Sequence, residues 1–214
     1  MFPHKQVYIF DLHGTLVNYK AKECDQTITF LILKNENCQV DVPLFQYVTD
    51  YFLHLPYIER EHELLKLGIP LKEFKQYWRK DWVKEIRREY SFVYDDVVFL
   101  DKLDFAKKAI STSAPKNLAK IHLNMLYQKI RQNSIDLIVF GDDFKNRRKP
   151  YPYSLIYCVN FFNKGVHQTV YVGDSDIDRK ASRNACIEFL YILRSDGQSS
   201  SNPDEYITSL SDLV

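Results

Sequence analysis

The sequence predicts an α/β fold, a parallel sheet carrying one inserted helical module, and three observations predict it. Five short apolar runs, at 7–10, 106–111, 135–140, 169–172 and 187–193, are rich in Val, Ile and aromatic residues and carry charge only near their ends. Runs of this kind form strands buried on both faces. Helical patterns at 115–130, 152–162 and 176–184 separate the last four runs, and strands alternating with helices at this spacing build βαβ units. Between 17 and 95, by contrast, apolar side chains recur mainly at helical spacing.

The first strand, Val7-Tyr8-Ile9-Phe10, delivers Asp11 to a turn that contains Gly14. In the inserted stretch, Leu44, Phe45, Tyr47, Val48, Tyr51, Phe52 and Leu55 recur at helical spacing, and so do Leu71, Phe74, Trp78, Trp82 and Ile86. At least two amphipathic helices are therefore expected, with Gly68 and Pro70 punctuating a boundary between helices. The stretch 27–33 is ambiguous, because its β-branched residues suit a strand and its context a helix. Pro115 and Pro152 suit the first turn of the helices that follow them, where a missing N–H costs nothing. In a parallel sheet, ligands bind at the carboxyl ends of the strands. Asp11, Thr112 and Asp174 all lie at such ends, and Lys149 lies in the loop beyond the third run.

A length of 214 residues fits one domain with an insertion. The 29 basic and 28 acidic residues leave a net charge of +1, so no global field steers the chain towards nucleic acid or an anionic membrane. Nucleic acid is not an expected partner. Cys24, Cys38, Cys158 and Cys186 form no C-x-x-C pair, against a zinc site and a dense disulfide framework. The first six residues lack a signal-type apolar stretch, and no segment approaches the ~20 apolar residues of a membrane span. A cytoplasmic protein is expected, with no membrane partner. The segment 195–202 reads as a short polar loop.

Four segments carry the chemistry. They are Phe10-Asp11-Leu12-His13-Gly14-Thr15; Ser111-Thr112-Ser113-Ala114-Pro115; Arg148-Lys149-Pro150; and Gly173-Asp174-Ser175-Asp176-Ile177-Asp178. Asp174 and Asp178 stand at i and i+4, so a helix starting after Gly173 would turn both the same way, beside Asp11. Three converging carboxylates would raise one another's pKa, and a Mg²⁺ ion, which favours carboxylates, water and substrate oxygens, would relieve this. Lys149 offers a fixed positive charge. Thr112 offers a hydroxyl at a strand end, with Ser111 as the alternative. Asp176 reads as a helix N-terminal acid.

In this order the four segments resemble the motifs of the haloacid dehalogenase (HAD) superfamily, most of whose members are Mg²⁺-dependent phosphatases. The resemblance implies a Rossmann-like core made of residues 1–16 and 96–214. The module at 17–95 would be a helical cap of the type inserted between the first and second motifs. It implies that Asp11 is the nucleophile forming an aspartyl-phosphate, with Lys149 and Thr112 holding the phosphoryl group. Mg²⁺ would be bound by Asp11, Asp174, the backbone carbonyl of His13 and, directly or through water, Asp178. The expected partner is a small phosphorylated substrate.

One position departs from the pattern. The phosphatases usually carry Asp two residues after the nucleophile, where it protonates the leaving oxygen and later deprotonates the attacking water; this chain has His13. Such acid–base help contributes ~10²–10⁴-fold, and an imidazole can serve both steps near neutral pH. The departure also leaves open phosphoryl transfer, P–C bond hydrolysis, whose Schiff-base lysine the sequence does not assign to Lys20 or Lys22, and a binding module without turnover. The basic run 145–149 is either substrate-attracting or solvated surface, and Trp78 and Trp82 read as cap core. His54, His62, His122 and His167 share no ligand spacing and receive no role.

Overall fold

A computed structural model describes residues 5–194 and 206–214 of the chain; the loop expected at 195–202 and the extreme N-terminus lie outside them. Residue contacts divide the chain into an inserted unit, Tyr19–Ser91, and a core unit formed by the remainder. The chain leaves the core unit in β2 (Val17–Tyr19) and returns in β3 (Ser91–Val93), which pair as a two-stranded sheet.

The core unit carries a six-stranded sheet. Its strands are β1 (Val7–Phe10), β4 (Lys107–Ser111), β5 (Leu137–Val139), β6 (Thr169–Gly173), β7 (Glu188–Ile192) and β8 (Tyr206–Ile207). They are ordered β5-β4-β1-β6-β7-β8, and every pairing is parallel. β1 is central, with Ile9 facing Ala109 on one side and Tyr171 on the other. All four of its residues are buried, because helices cover both faces of the sheet. Tyr8, Phe10, Ile110, Val170 and Val172 point to the face covered by α6 (Lys116–Leu126) through Ala119, Leu123 and Leu126. Val7, Ile9, Ala109 and Tyr171 point to the other face. There they pack against Leu155, Cys158 and Val159 of α7 (Tyr153–Phe161) and Ala181 of α8 (Asp176–Asn184). The alternation of a strand's side chains thus assigns each apolar residue to one of two cores. Each large side chain buried there contributes about 1.5–3 kcal/mol. β8 extends the sheet beyond the five strands that the apolar runs marked, and the short helix Leu210–Leu213 closes the unit.

The inserted unit is helical throughout its longer elements: α1 (Ala21–Asn35), α2 (Leu44–Asp50), α3 (Tyr57–Lys66), α4 (Leu71–Tyr77) and α5 (Asp81–Glu89). The ambiguous stretch 27–33 is helical, with Ile28, Thr29, Ile32 and Leu33 on the buried side of α1. The single apolar stripe from Leu71 to Ile86 belongs to two helices. The chain turns between them through Arg79 N–H to Gln76 O and Lys80 N–H to Tyr77 O, and Lys80 is extended. Trp78, Trp82 and Ile86 nevertheless pack together around Cys24, Ile28, Ile32 and Val83, so the stripe stays in phase across the break. The four cysteines are free thiols. Among the described residues, no helix is long and apolar enough to cross a membrane.

Candidate active site

Because all six strands run the same way, the residues that follow β1, β4 and β6 emerge on one edge of the sheet. Asp11 continues β1, its N–H donating to Val172 O at 2.9 Å; Thr112 continues β4, its N–H donating to Val139 O at 3.0 Å. Asp174 follows β6 directly. Asp11, His13, Thr112, Ser113, Lys149, Asp174 and Asp178 together line a pocket of about 240 Å³ within the core unit. All six residues singled out in the sequence are among them.

Lys149 is the hub of the cluster. Its ammonium donates to Asp11 Oδ1 at 2.7 Å, to Asp178 Oδ1 at 2.6 Å and to the Tyr171 hydroxyl at 2.8 Å. The Lys149 side chain is only 5% exposed. Tyr171 donates in turn to Asp178 Oδ1 at 2.7 Å, and Ser175, the N-cap of α8, donates to Asp178 Oδ2 and accepts from the Asp178 N–H at 3.3 Å. Asp178 is therefore gripped at both oxygens. Asp174 accepts from Thr15 Oγ1 at 3.3 Å.

Two glycines make room for these acids. Gly14 has φ of +79°, a left-handed conformation, and a Cβ there would run into the Asp174 carboxylate. A Cβ on Gly173 would meet Asp178 Cβ at 2.7 Å.

Electrostatics follow from three carboxylates facing one ammonium. One oxygen from each of Asp11, Asp174 and Asp178 can be chosen so that all lie within 4.8 Å of one another. Burial pushes Asp11 up to about 7; Lys149 opposes this, while Asp178 and Asp174 add to it. Burial and Asp178 push Asp174 up to about 6. For Asp178, burial works upward, but Lys149, Ser175 and Tyr171 outweigh it and hold the carboxyl below its ordinary range. Burial alone would lower Lys149, yet Asp11 and Asp178 keep its ammonium above the usual lysine value. The cluster carries more negative charge than its own cation offsets, and its carboxylate donors are hard. Such a donor set fits a divalent cation of the Mg²⁺ type.

The two candidate hydroxyls of the second motif separate cleanly. Thr112 lines the pocket and accepts from Ala114 N–H at 3.1 Å, whereas Ser111 donates to Ser154 on α7 at 2.9 Å. Ser113 also lines the pocket, and its buried hydroxyl has no partner among the described residues. Asp176 lies in the first turn of α8, 3.1 Å from Arg179. In the basic run, Arg148 pairs with Asp142 at 3.1 Å and Arg147 stacks over Tyr153 at 5.0 Å. Lys145, Asn146 and Arg148 line a second pocket, of about 720 Å³, that also includes Lys149.

His13 does not stand alone. Its Nε2 lies 2.7 Å from Nδ1 of His122, and the rings meet nearly perpendicular, with centroids 4.6 Å apart and planes at 84°. Burial, His122 and Lys149 together push the His13 imidazole down to about 3, so the ring is neutral at ordinary pH. Sequence reasoning passed over His122, Tyr171, Thr15 and Ser175. A weak signal existed for His122: with Ala119, Leu123 and Leu126 it stands on the buried stripe of α6, an unusual place for a polar ring.

A parallel α/β core with polar residues gathered at the carboxyl ends of its strands defines a class of folds that bind their ligands at that edge. Residues 8–192 match the family model of the haloacid dehalogenase-like hydrolases, and the chain belongs to that family. Solved structures agree on the fold. A HAD-superfamily hydrolase of subfamily IA from Geobacter sulfurreducens superposes with a TM-score of 0.69 at 15% identity, covering 98% of this chain and 95% of that one. A candidate beta-phosphoglucomutase from Thermotoga maritima gives 0.72 at 19% identity, over 97% and 96%. A HAD family hydrolase from Deinococcus radiodurans, solved with bound phosphate and sodium, gives 0.66 at 13% identity, over 99% and 94%. No curated protein matches the sequence.

Proposed function

We propose that the protein is a Mg²⁺-dependent phosphohydrolase of a small phosphorylated metabolite, acting through an aspartyl-phosphate on Asp11. The observation that carries this reading is the buried Lys149 ammonium, 2.7 Å from Asp11 and 2.6 Å from Asp178, in a pocket that also holds Asp174, Thr112 and His13. Asp11, Asp174 and the backbone carbonyl of His13 would hold the metal. Asp178, whose oxygens are already taken by Lys149, Tyr171 and Ser175, would act through water. When bound, Mg²⁺ supplies positive charge that offsets the carboxylates and the phosphoryl oxygens.

The side chains divide the remaining work. Lys149 favours the ionised form of Asp11 and fixes its position, and its charge stabilises the transferring phosphoryl group. Thr112 orients one phosphoryl oxygen, beside Ser113, which also lines the pocket. His13, neutral in the substrate-free site, would take the proton from the water that cleaves the aspartyl-phosphate. The inserted helical unit acts as the cap and carries substrate selection. The candidate phosphoglucomutase and the phosphate-bound hydrolase among the structural neighbours support phosphate-ester chemistry.

The test uses purified protein, p-nitrophenyl phosphate and then a panel of sugar and nucleoside phosphates, with Mg²⁺ present or chelated. Mg²⁺-dependent phosphate release that Asp11→Asn abolishes is the expected result. Transfer to an added alcohol without release of phosphate would reassign the chemistry to a phosphotransferase. Absence of turnover on the whole panel would leave a binding module.

A further inference from the structure

We propose that His122 is a positioning residue of the active site, holding the His13 imidazole in one ring orientation through a ring-nitrogen to ring-nitrogen hydrogen bond. The inference rests on the phosphohydrolase reading, in which His13 is the proton carrier.

The geometry is specific. A separation of 2.7 Å between Nε2 of His13 and Nδ1 of His122 is a hydrogen bond only if one nitrogen carries the proton and the other offers its lone pair. The two rings must therefore adopt complementary tautomers. Turning the His13 ring by 180° would place a C–H group where Nε2 stands and destroy the bond, so the partner selects the ring's orientation as well as its protonation pattern. The perpendicular approach of the rings, at 84°, suits an in-plane nitrogen of one ring meeting the edge of the other.

His122 is itself firmly placed. It is 1% exposed on the core-facing stripe of α6, between Ala119 and Leu123, and α6 begins directly after the segment 112–114, which lines the pocket. The helix that follows the second motif thus reaches back to the residue two after the nucleophile, across 109 positions of sequence. In a site where the usual carboxylate is replaced by an imidazole, a ring with two distinct nitrogens needs a partner to decide which one does what. An Asp at position 13 would need no such partner, since its two oxygens are equivalent.

The experiment compares His122→Leu, His122→Asn and His13→Ala, alone and combined, by steady-state kinetics, thermal melting and ¹⁵N NMR of the ring nitrogens. Asn carries a hydrogen-bonding atom at the place of the imidazole Nδ1, whereas Leu fills volume without one. His122→Leu is expected to lower kcat about 10- to 100-fold with KM nearly unchanged, no more than the low end of the ~10²–10⁴-fold that general acid–base help supplies. His122→Asn is expected to restore most of that loss. In the His13→Ala background, His122→Leu should cost nothing further, because residues acting as a unit are non-additive. The wild-type spectrum should show a single His13 tautomer that His122→Leu turns into a mixture.

Turnover by a folded His122→Leu equal to wild type would overturn this inference and leave the phosphohydrolase reading intact. A kcat loss that persists undiminished in the His13→Ala background would reduce His122 to a core residue and overturn it too. If the wild type itself is inert on the whole panel, the phosphohydrolase reading falls and this inference falls with it.

Discussion

The Lys149 ammonium lies 2.6 Å from Asp178 Oδ1, and the two side chains are 5% and 2% exposed. A buried ion pair of this kind is costly to break from one side, because the remaining charge keeps its burial and loses its partner. Lys149→Met is expected to lower stability by about 3–5 kcal/mol at pH 8 in chelator. Turnover should fall at least ~10²-fold, the scale seen when one preorganised donor is lost from a site of this type. Lys149→Arg keeps the charge, so denaturant unfolding should show a smaller loss while turnover stays low.

Asp11 gives a pH prediction with a definite sign. Its native pKa is raised to about 7, above the ~3.9 of an unfolded aspartate, so the native state keeps a proton that the unfolded state has released. Its contribution is fully present below pH ~4 and is lost as pH rises towards 7. Asp174, raised to about 6, acts in the same direction. His13, lowered to about 3, acts oppositely, its neutral form favouring the fold as pH rises towards 6.5. Comparison with Asp11→Asn isolates the one group. In chelator the variant should melt above the wild type at pH 8, and the gap should close near pH 4. Mg²⁺ should raise the wild-type melting temperature at pH 8 and leave the variant nearly unmoved.

Gly14 and Gly68 form a matched pair of controls. Both have left-handed backbones, with φ of +79° and +80°, but a Cβ on Gly14 strikes the Asp174 carboxylate, whereas nothing lies within 4 Å of one on Gly68. Alanine at either position incurs the same backbone cost, ~1–2 kcal/mol. Only Gly14→Ala should displace Asp174, weakening Mg²⁺ binding at least ~10-fold, about 1.4 kcal/mol. Isothermal titration calorimetry on both variants separates the two effects.

Ser113 should trade stability against binding. A buried hydroxyl without a partner costs about 1–3 kcal/mol, so Ser113→Ala is expected to be neutral or stabilising in the substrate-free protein. Its KM for a phosphate ester should rise several-fold, because Ser113 lines the pocket the ester enters. Equal KM values would remove Ser113 from the phosphoryl contacts.

The chain's own pattern determined the parallel sheet, the helical insertion and the strand ends that carry Asp11, Thr112 and Asp174. These are local properties: an apolar run long enough to cross a buried sheet must end in polar residues, and parallel strands place those ends on one edge. Tertiary structure alone decided the rest. Periodicity reports which face of an element is buried and not what it meets, so the stripe from Leu71 to Ile86 concealed a break between two helices that keep one phase. The sequence favoured Thr112 and left Ser111 as the alternative, and only packing sent the first to the pocket and the second to Ser154. The hold of Tyr171 on Asp178 and of His122 on His13 arose the same way, since hydrogen bonds made by buried side chains depend on three-dimensional neighbours that spacing along the chain does not encode.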